Sequence, residues 1–285
     1  MKVGILLPNA VIGMQGRLLI DWAKSAEAHG FSTLATVDRL VFPNYEPLTV
    51  LAAAAGATER IGLMTNVLLA PTRNPVLLAK QAASVDQLSG GRLTLGLGVG
   101  SREDDAVASN TDFHTRGRRM SGVIDTLRRA WRGEQVAGSP RPVTPAPVNG
   151  DIPIIMGGSS DAAFSRARKW AAGWTSGAGV APEVLKPFID RVRNDFHEEG
   201  REARILAMAY FVLGGNADKQ RATFVHDYYY ARPDFARKLS ERTLRSPEAL
   251  REAKAAYEKV GVDELIFGPT LGDLRQVELL AEAIF

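Results

Sequence analysis

The sequence has no cysteine, which excludes disulfide bonds, thiolate nucleophiles, iron–sulfur clusters and cysteine zinc sites together. Histidine is scarce as well. His29, His114, His197 and His226 lie far apart and form neither an HxH nor an HExxH pair, so metal catalysis is not expected. No apolar run approaches the roughly 18 residues that a membrane-spanning helix requires. The opening MKVGILLPNAVIG is too short for a signal h-region and runs directly into a strand-like pattern, so the expectation is a cytoplasmic protein with no membrane segment. Long lysine or arginine runs are also missing, the densest basic cluster being Arg116, Arg118 and Arg119. Thirty-five basic residues against 32 acidic ones leave a net charge of +3. Such a balance suits a small anionic ligand better than nucleic acid.

What is present is the composition of an ordinary globular protein, 45% hydrophobic and 24% charged. At 285 residues one large domain spanning 1–285 is the expectation, burying roughly three quarters of the surface of the unfolded chain. The apolar runs fall at regular intervals. Strands are predicted at Val3–Leu7, Thr33–Val37, Ile61–Leu69, Leu93–Val99, Ile152–Met156, Ala171–Thr175, Ile205–Leu213 and Leu265–Phe267. Between them lie segments of helical period: Leu18, Leu19, Trp22, Ala23 and Ala26, closed by Gly30, and then 47–57, 75–88, 115–132, 161–169, 182–199, 217–229 or beyond, 247–260 and 273–284. Strands alternating with helices indicate parallel pairing. Eight such units in this length match an α/β fold of the (β/α)8 TIM-barrel type, with a doubly wound sheet as the main alternative.

Two stretches break the rhythm. Residues 133–149 hold four prolines in a polar segment that cannot continue a helix. Residues 214–247 carry His226, Tyr228, Tyr229, Tyr230, Pro233 and Phe235; this insertion is either surface helix packing or a lid over a pocket. The Ala-rich helix 47–57, with Leu48, Leu51 and Ala52–Ala55, suits close packing either against a second copy or within its own core.

Three segments at strand ends are candidates for chemistry, since a barrel places its site at the C-terminal rim. Ile154–Ile155–Met156 runs into Gly157, Gly158, Ser159, Ser160 and Asp161. Glycines admit close backbone approach, and a helix N-terminus carries about half a positive charge, which suits a phosphate. A tight capped turn is the plainer reading. Gly96, Gly98 and Gly100 alternate along one strand, which strips one face of side chains, either to admit a flat ring or to relieve crowding inside a barrel. Ile61–Leu69 with Ala70–Pro71 is long for one strand and suggests a bulge near Thr65 to Val67.

In this order and spacing the three segments resemble the bacterial luciferase-like family of flavin-dependent oxidoreductases. The likeness is densest in TNVLLAPTRNPVLLAKQAASVDQLSGGRLTLGLGVG from Thr65 to Gly100, and extends through Phe113–Arg119, Pro153–Ser160, Ala171–Trp174 and Gly261–Leu265. The resemblance implies a luciferase-like TIM barrel whose rim holds FMN, or alternatively the deazaflavin coenzyme F420. It places a non-proline cis peptide at Asn66–Val67, with Thr65, Asn66 and Val67 along one face and edge of the ring and Gly98 below it. Gly157, Gly158, Ser159 and Ser160 would hold the phosphate.

One departure bears on catalysis. Many members carry an acidic residue followed by a catalytic histidine after the second strand, and here the pair is Asp38–Arg39. Arginine does not act as a base at neutral pH. Any general base then comes from His114 first, or Asp38 second, or none is needed. Arg39 is either a salt-bridging residue or a contact for an anionic substrate or reduced flavin. The resemblance implies an enzyme, a monooxygenase taking reduced FMN from a separate reductase and acting with O2 on a small organic substrate, and commonly a homodimer. F420-dependent hydride transfer, a flavin-binding protein without turnover, and a sugar-phosphate barrel enzyme are the competing readings.

Overall fold

Each apolar run forms a strand, and the eight strands close on themselves. They are β1 (Lys2–Leu6), β2 (Thr33–Thr36), β3 (Gly62–Leu69), β4 (Leu93–Gly98), β5 (Ile154–Gly157), β6 (Gly173–Ala178), β7 (Arg204–Phe211) and β8 (Glu264–Pro269). All pair in parallel with their sequence neighbours, and β8 returns to β1 with Lys2 opposite Glu264 and Ile5 opposite Phe267. The fold is therefore a (β/α)8 barrel, as the alternation predicts. This computed structural model describes residues 1–214 and 217–285, with 217–222 described by backbone alone.

The helices are α1 (Gly16–Ala28), α2 (Pro47–Ala55), α3 (Pro75–Leu88), α4 (Glu103–Ala108), α5 (Arg116–Trp131), α6 (Asp161–Trp170), α7 (Pro182–His197), α8 (Ala217–Tyr228), α9 (Pro233–Glu241), α10 (Pro247–Lys259) and α11 (Arg275–Ile284). Their starts follow local chemistry. Asn74 accepts hydrogen bonds from Val76 N and Leu77 N, both at 3.0 Å, with Pro75 at the first helical position of α3. Ser160 and Ser246 cap α6 and α10 in the same way. No helix among the described residues is long and apolar enough to cross a membrane.

Apolar side chains sort into two cores. The larger lies between barrel and helices, where strand residues such as Leu34, Leu63 and Leu95 meet Trp22, Leu51 and Ile124. The smaller fills the barrel itself with Leu6, Ala35, Met64, Ile155, Leu206 and Ile266, and it continues upward into Phe224, Val225, Tyr228 and Leu239 of α8 and α9. The 214–247 insertion is thus the upper layer of the barrel's interior rather than surface helix packing, which favours the lid reading; Gly215 and Asn216 within it lie outside the described residues. In α2, Leu48, Leu51, Ala54 and Ala55 are buried in the chain's own core, which accounts for the alanine-rich face.

Two elements depart from the sequence pattern. The segment 101–114, to which the sequence pattern assigns no element, contains α4, whose N-cap Arg102 makes no side-chain cap. The long helix expected from 217 divides into α8 and α9, because Pro233 restarts the chain at the first position of a new helix. The proline-rich 133–149 stretch contains no strand or helix. It is strapped to α3 by Lys80 Nζ donating to Thr144 O (2.7 Å) and by Val148 N donating to Asp86 Oδ2 (2.8 Å).

Candidate active site

At the C-terminal ends of β2 to β7 a cavity of about 300 Å³ opens into the rim. Its floor is Val67. The bulge expected in β3 is present, as a register shift between Thr65 and Leu68 against β4, and the Asn66–Val67 peptide is cis. The alternating glycines of β4 make room for this strand. A Cβ on Gly96 would lie 1.9 Å from Thr65 O, and one on Gly98 would lie 2.4 Å from Val67 Cγ2. The glycine face is therefore filled by β3, not left bare for a ring, so Gly98 supports Val67 and Val67 presents the apolar surface. On its other flank Val67 Cγ1 would lie 3.1 Å from a Cβ on Gly157.

Asn66 reaches across the barrel, its Oδ1 accepting from Thr175 Oγ1 at 3.0 Å. Both Asn66 and Thr175 line the cavity, with Ser176 beside them. Thr65 does not: it is fully buried and donates to Gly96 O at 2.7 Å, which fixes the bulge. Thr175, Ser176 and Met208 escaped the sequence reading. The barrel rule alone would have found them, because they sit near the C-terminal ends of β6 and β7.

One end of the cavity leads to Gly157 and Gly158 and the first turn of α6. Gly158 has φ +113° and its carbonyl accepts from Trp174 Nε1 at 2.7 Å, which holds the turn in place. Ser160 is committed as the N-cap, accepting from Ala163 N at 3.2 Å, while Ser159 is exposed. Neither serine lines the cavity itself; they stand just beyond its glycine end. Nearby, the 16-residue helix α5 begins with Arg116, Arg118 and Arg119 and no acidic residue in its first turn. Arg166 of α6 lies so close to Gly117 that a Cβ there would be 2.7 Å from Arg166 Nη2. Among the described residues none of these four arginines has a carboxylate in ion-pair range, so positive charge gathers next to a helix N-terminus, an arrangement that attracts anions.

At the opposite end stand Asp38, Arg39, Tyr228 and Tyr229. Asp38 Oδ2 accepts from Leu69 N and from Arg73 Nη2, both at 2.9 Å. Burial pushes its carboxyl above the ordinary range, against the pull of Arg73. Arg39 is salt-bridged to Asp105 at 3.3 Å and its guanidinium lies 5.2 Å from the Tyr228 ring centre; its Nε is buried without a partner. It is thus both an ion-pair member and a cavity wall. His114 is neither near these groups nor part of the lining. It is exposed on a short 3-10 turn, Phe113–Thr115, where Asp112 Oδ1 accepts from its backbone N–H at 2.8 Å. The structure gives His114 no contact through which to act as a base in this cavity.

Further out, Arg102 and the Tyr230 hydroxyl hold Asp104 down to about 2. The folded value lies below the ordinary one, so the stabilisation is complete above about pH 4 and is lost only as pH falls through about 2. The rim is expected to keep the same near-ultraviolet circular dichroism from pH 5 to 9; a transition inside that window would contradict this.

The cavity thus joins an apolar floor, a polar edge and an anion-attracting end, and a flat ring system with a phosphate tail fits those three parts. The chain matches the luciferase-like monooxygenase family model over residues 1–270. An uncharacterised protein of Mycobacterium tuberculosis is 33% identical over 229 residues, covering 69% of this chain and 78% of that protein. The crystal structure of a monooxygenase from Streptomyces bottropensis superposes with a TM-score of 0.82 at 22% identity, covering 99% of this chain and 98% of that one. A coenzyme F420-dependent tetrahydromethanopterin reductase from Methanopyrus kandleri superposes with a TM-score of 0.77 at 19% identity, again covering 99% and 98%. Sequence, closed barrel and cis Asn66–Val67 rim agree: the chain belongs to the luciferase-like monooxygenase family.

Proposed function

We propose that the protein is a cytoplasmic flavin-dependent monooxygenase that uses reduced FMN, supplied by a separate reductase, and O2 on a small organic substrate. The observation that carries this reading is Val67 seated between Gly98 and Gly157, an apolar shelf that ends at the Gly157–Gly158 turn and the N-terminus of α6. Reduced FMN bound there would supply the two electrons for oxygen chemistry. The chain's own part is placement. Val67 would support the ring, and Asn66 and Thr175 would offer hydrogen bonds at its edge. Gly157, Gly158 and the N-terminus of α6 would hold the phosphate, and Tyr228 and Tyr229 would keep bulk water out. Asp38 sits at the rim with its charge matched by Arg73, so it orients the β2 end rather than exchanging protons freely.

The family includes FMN-dependent and F420-dependent enzymes. One observation favours F420 as the second reading: Arg116, Arg118, Arg119 and Arg166, which have no carboxylate partner among the described residues, provide more positive charge than a single phosphate requires. Hydride transfer without O2 would then replace oxygenation. Titration with each cofactor, followed by fluorescence, separates the two. For FMN, Gly158→Ala is expected to weaken binding by about tenfold or more, because the positive φ disfavours a side chain and the helix N-terminus is re-aimed. Failure of both cofactors to bind the wild-type protein would overturn both readings.

A further inference from the structure

Tyr228 ends α8 and Tyr229 and Tyr230 follow it in a turn, and each is held by a different part of the rim. Tyr228 donates its hydroxyl to Asp38 O at 3.4 Å and packs edge-on against Phe42 with ring centres 5.2 Å apart. Tyr229 meets Tyr210 of β7, the two hydroxyls 3.2 Å apart. Tyr230 donates to Asp104 Oδ2 and accepts from Arg102 Nη2, each at 2.7 Å, and the Arg102 guanidinium lies 4.4 Å from its ring centre.

The arginines behind this arrangement are fixed by adjacent acids of α4. Arg102 is paired with Asp104. Asp105, 1% exposed, accepts from Leu40 N (2.8 Å), Val41 N (2.9 Å) and Arg39 Nη1 (3.3 Å). A helix of only six residues therefore joins the β2 loop, the β4 loop and the end of α8. Of the three tyrosines, Tyr228 and Tyr229 line the cavity, as does Arg39. Tyr230, 56% exposed, is the one whose hydrogen bonds water can replace at least cost.

We propose that α4 and Tyr228–Tyr230 form a clamp that holds α8 closed over the cavity, that Arg102 and Asp105 are its positioning residues, and that it opens at Tyr230 to admit ligand. Release of the outer Tyr230 contact lets Tyr229 and Tyr228 follow it away from the cavity, so opening is confined to the end of α8 and leaves the barrel intact. The proposal rests on reading this cavity as the cofactor and substrate site, yet its first test needs no ligand.

Hydrogen exchange of the amides of residues 223–230 is compared in wild type, Tyr230→Phe and Arg102→Met. Tyr230→Phe keeps the ring and removes only the hydroxyl, so folding is preserved. Exchange over 223–230 is expected to accelerate by about tenfold in both variants while β1 to β4 are unchanged. Unchanged exchange, or equal acceleration through the strands, would overturn the clamp. Stopped-flow mixing with FMN then reads the gate: association and dissociation should both accelerate in Tyr230→Phe, with the Kd moving less than either. A Kd change carried by dissociation alone would show a lost contact and not a gate. If wild type binds no FMN, the flavin reading fails while the exchange result still decides the clamp.

Discussion

Gly96→Ala is expected to lower stability by about 3 kcal/mol, the upper end of the range for a single overpacked methyl group. The added Cβ would lie 1.9 Å from the carbonyl oxygen of Thr65 and 3.1 Å from its carbonyl carbon. Both are backbone atoms of the neighbouring strand, so no rotamer change relieves the contact. Separation of β3 from β4 would break the pairings Thr65 with Leu95 and Leu68 with Leu97 that flank the bulge. It would also displace Asn66 and Val67, so cofactor binding should fall with stability. Gly122→Ala is the control: it lies inside α5 with nothing within 4 Å of its Cβ position, and should stabilise by about 0.5 to 1 kcal/mol. Urea midpoints, read at unchanged slope, measure both. Equal midpoints for the two variants would show that the β4 glycine is dispensable.

That glycine shows what the sequence reveals and what it conceals. The alternation of Gly96, Gly98 and Gly100 is visible, and so is its consequence that one strand face lacks side chains. Which atoms fill the space depends on the register of β3 against β4, a long-range property that spacing does not encode. Strand positions were legible because each buried strand is an apolar run bounded by turn residues. β5 and β6 each begin two residues further along than expected, β6 because Ala171 closes α6 before the strand begins. The glycine turn at 157–158 was legible because φ above zero and a following cap leave a residue signature. α4 was not, because six residues with little apolar content and no side-chain cap are held by tertiary contacts of Asp105 rather than by local preference. His114 lies exposed outside the cavity lining, because a titratable side chain in a motif says nothing about where its loop points.

The pair between Asp38 and Arg73 yields the second large effect. Arg73→Met is expected to destabilise by about 3 to 5 kcal/mol at pH 7, because it leaves a buried carboxylate without its cation. The Asp38 side chain is 4% exposed, whereas Glu46, the other partner of Arg73 at 2.8 Å, is 37% exposed and can turn to water. Burial already raises the Asp38 pKa in the native protein, and loss of the guanidinium raises it further. An acid whose folded value exceeds its unfolded value holds its proton longer when folded. Its penalty is therefore absent below about pH 4, grows as pH rises, and levels off above the folded value. The deficit of Arg73→Met should accordingly be smaller at pH 5 than at pH 8. Asp38→Asn placed in the same background removes the charge, and should recover much of the loss and flatten the slope, although Leu69 N then donates to a neutral amide oxygen instead of a carboxylate. Urea midpoints of wild type, single and double variants at pH 5 and pH 8 decide the matter. Equal deficits at both pH values, without recovery in the double variant, would mean that Arg73 acts through packing of its stem and not through the charge it gives Asp38.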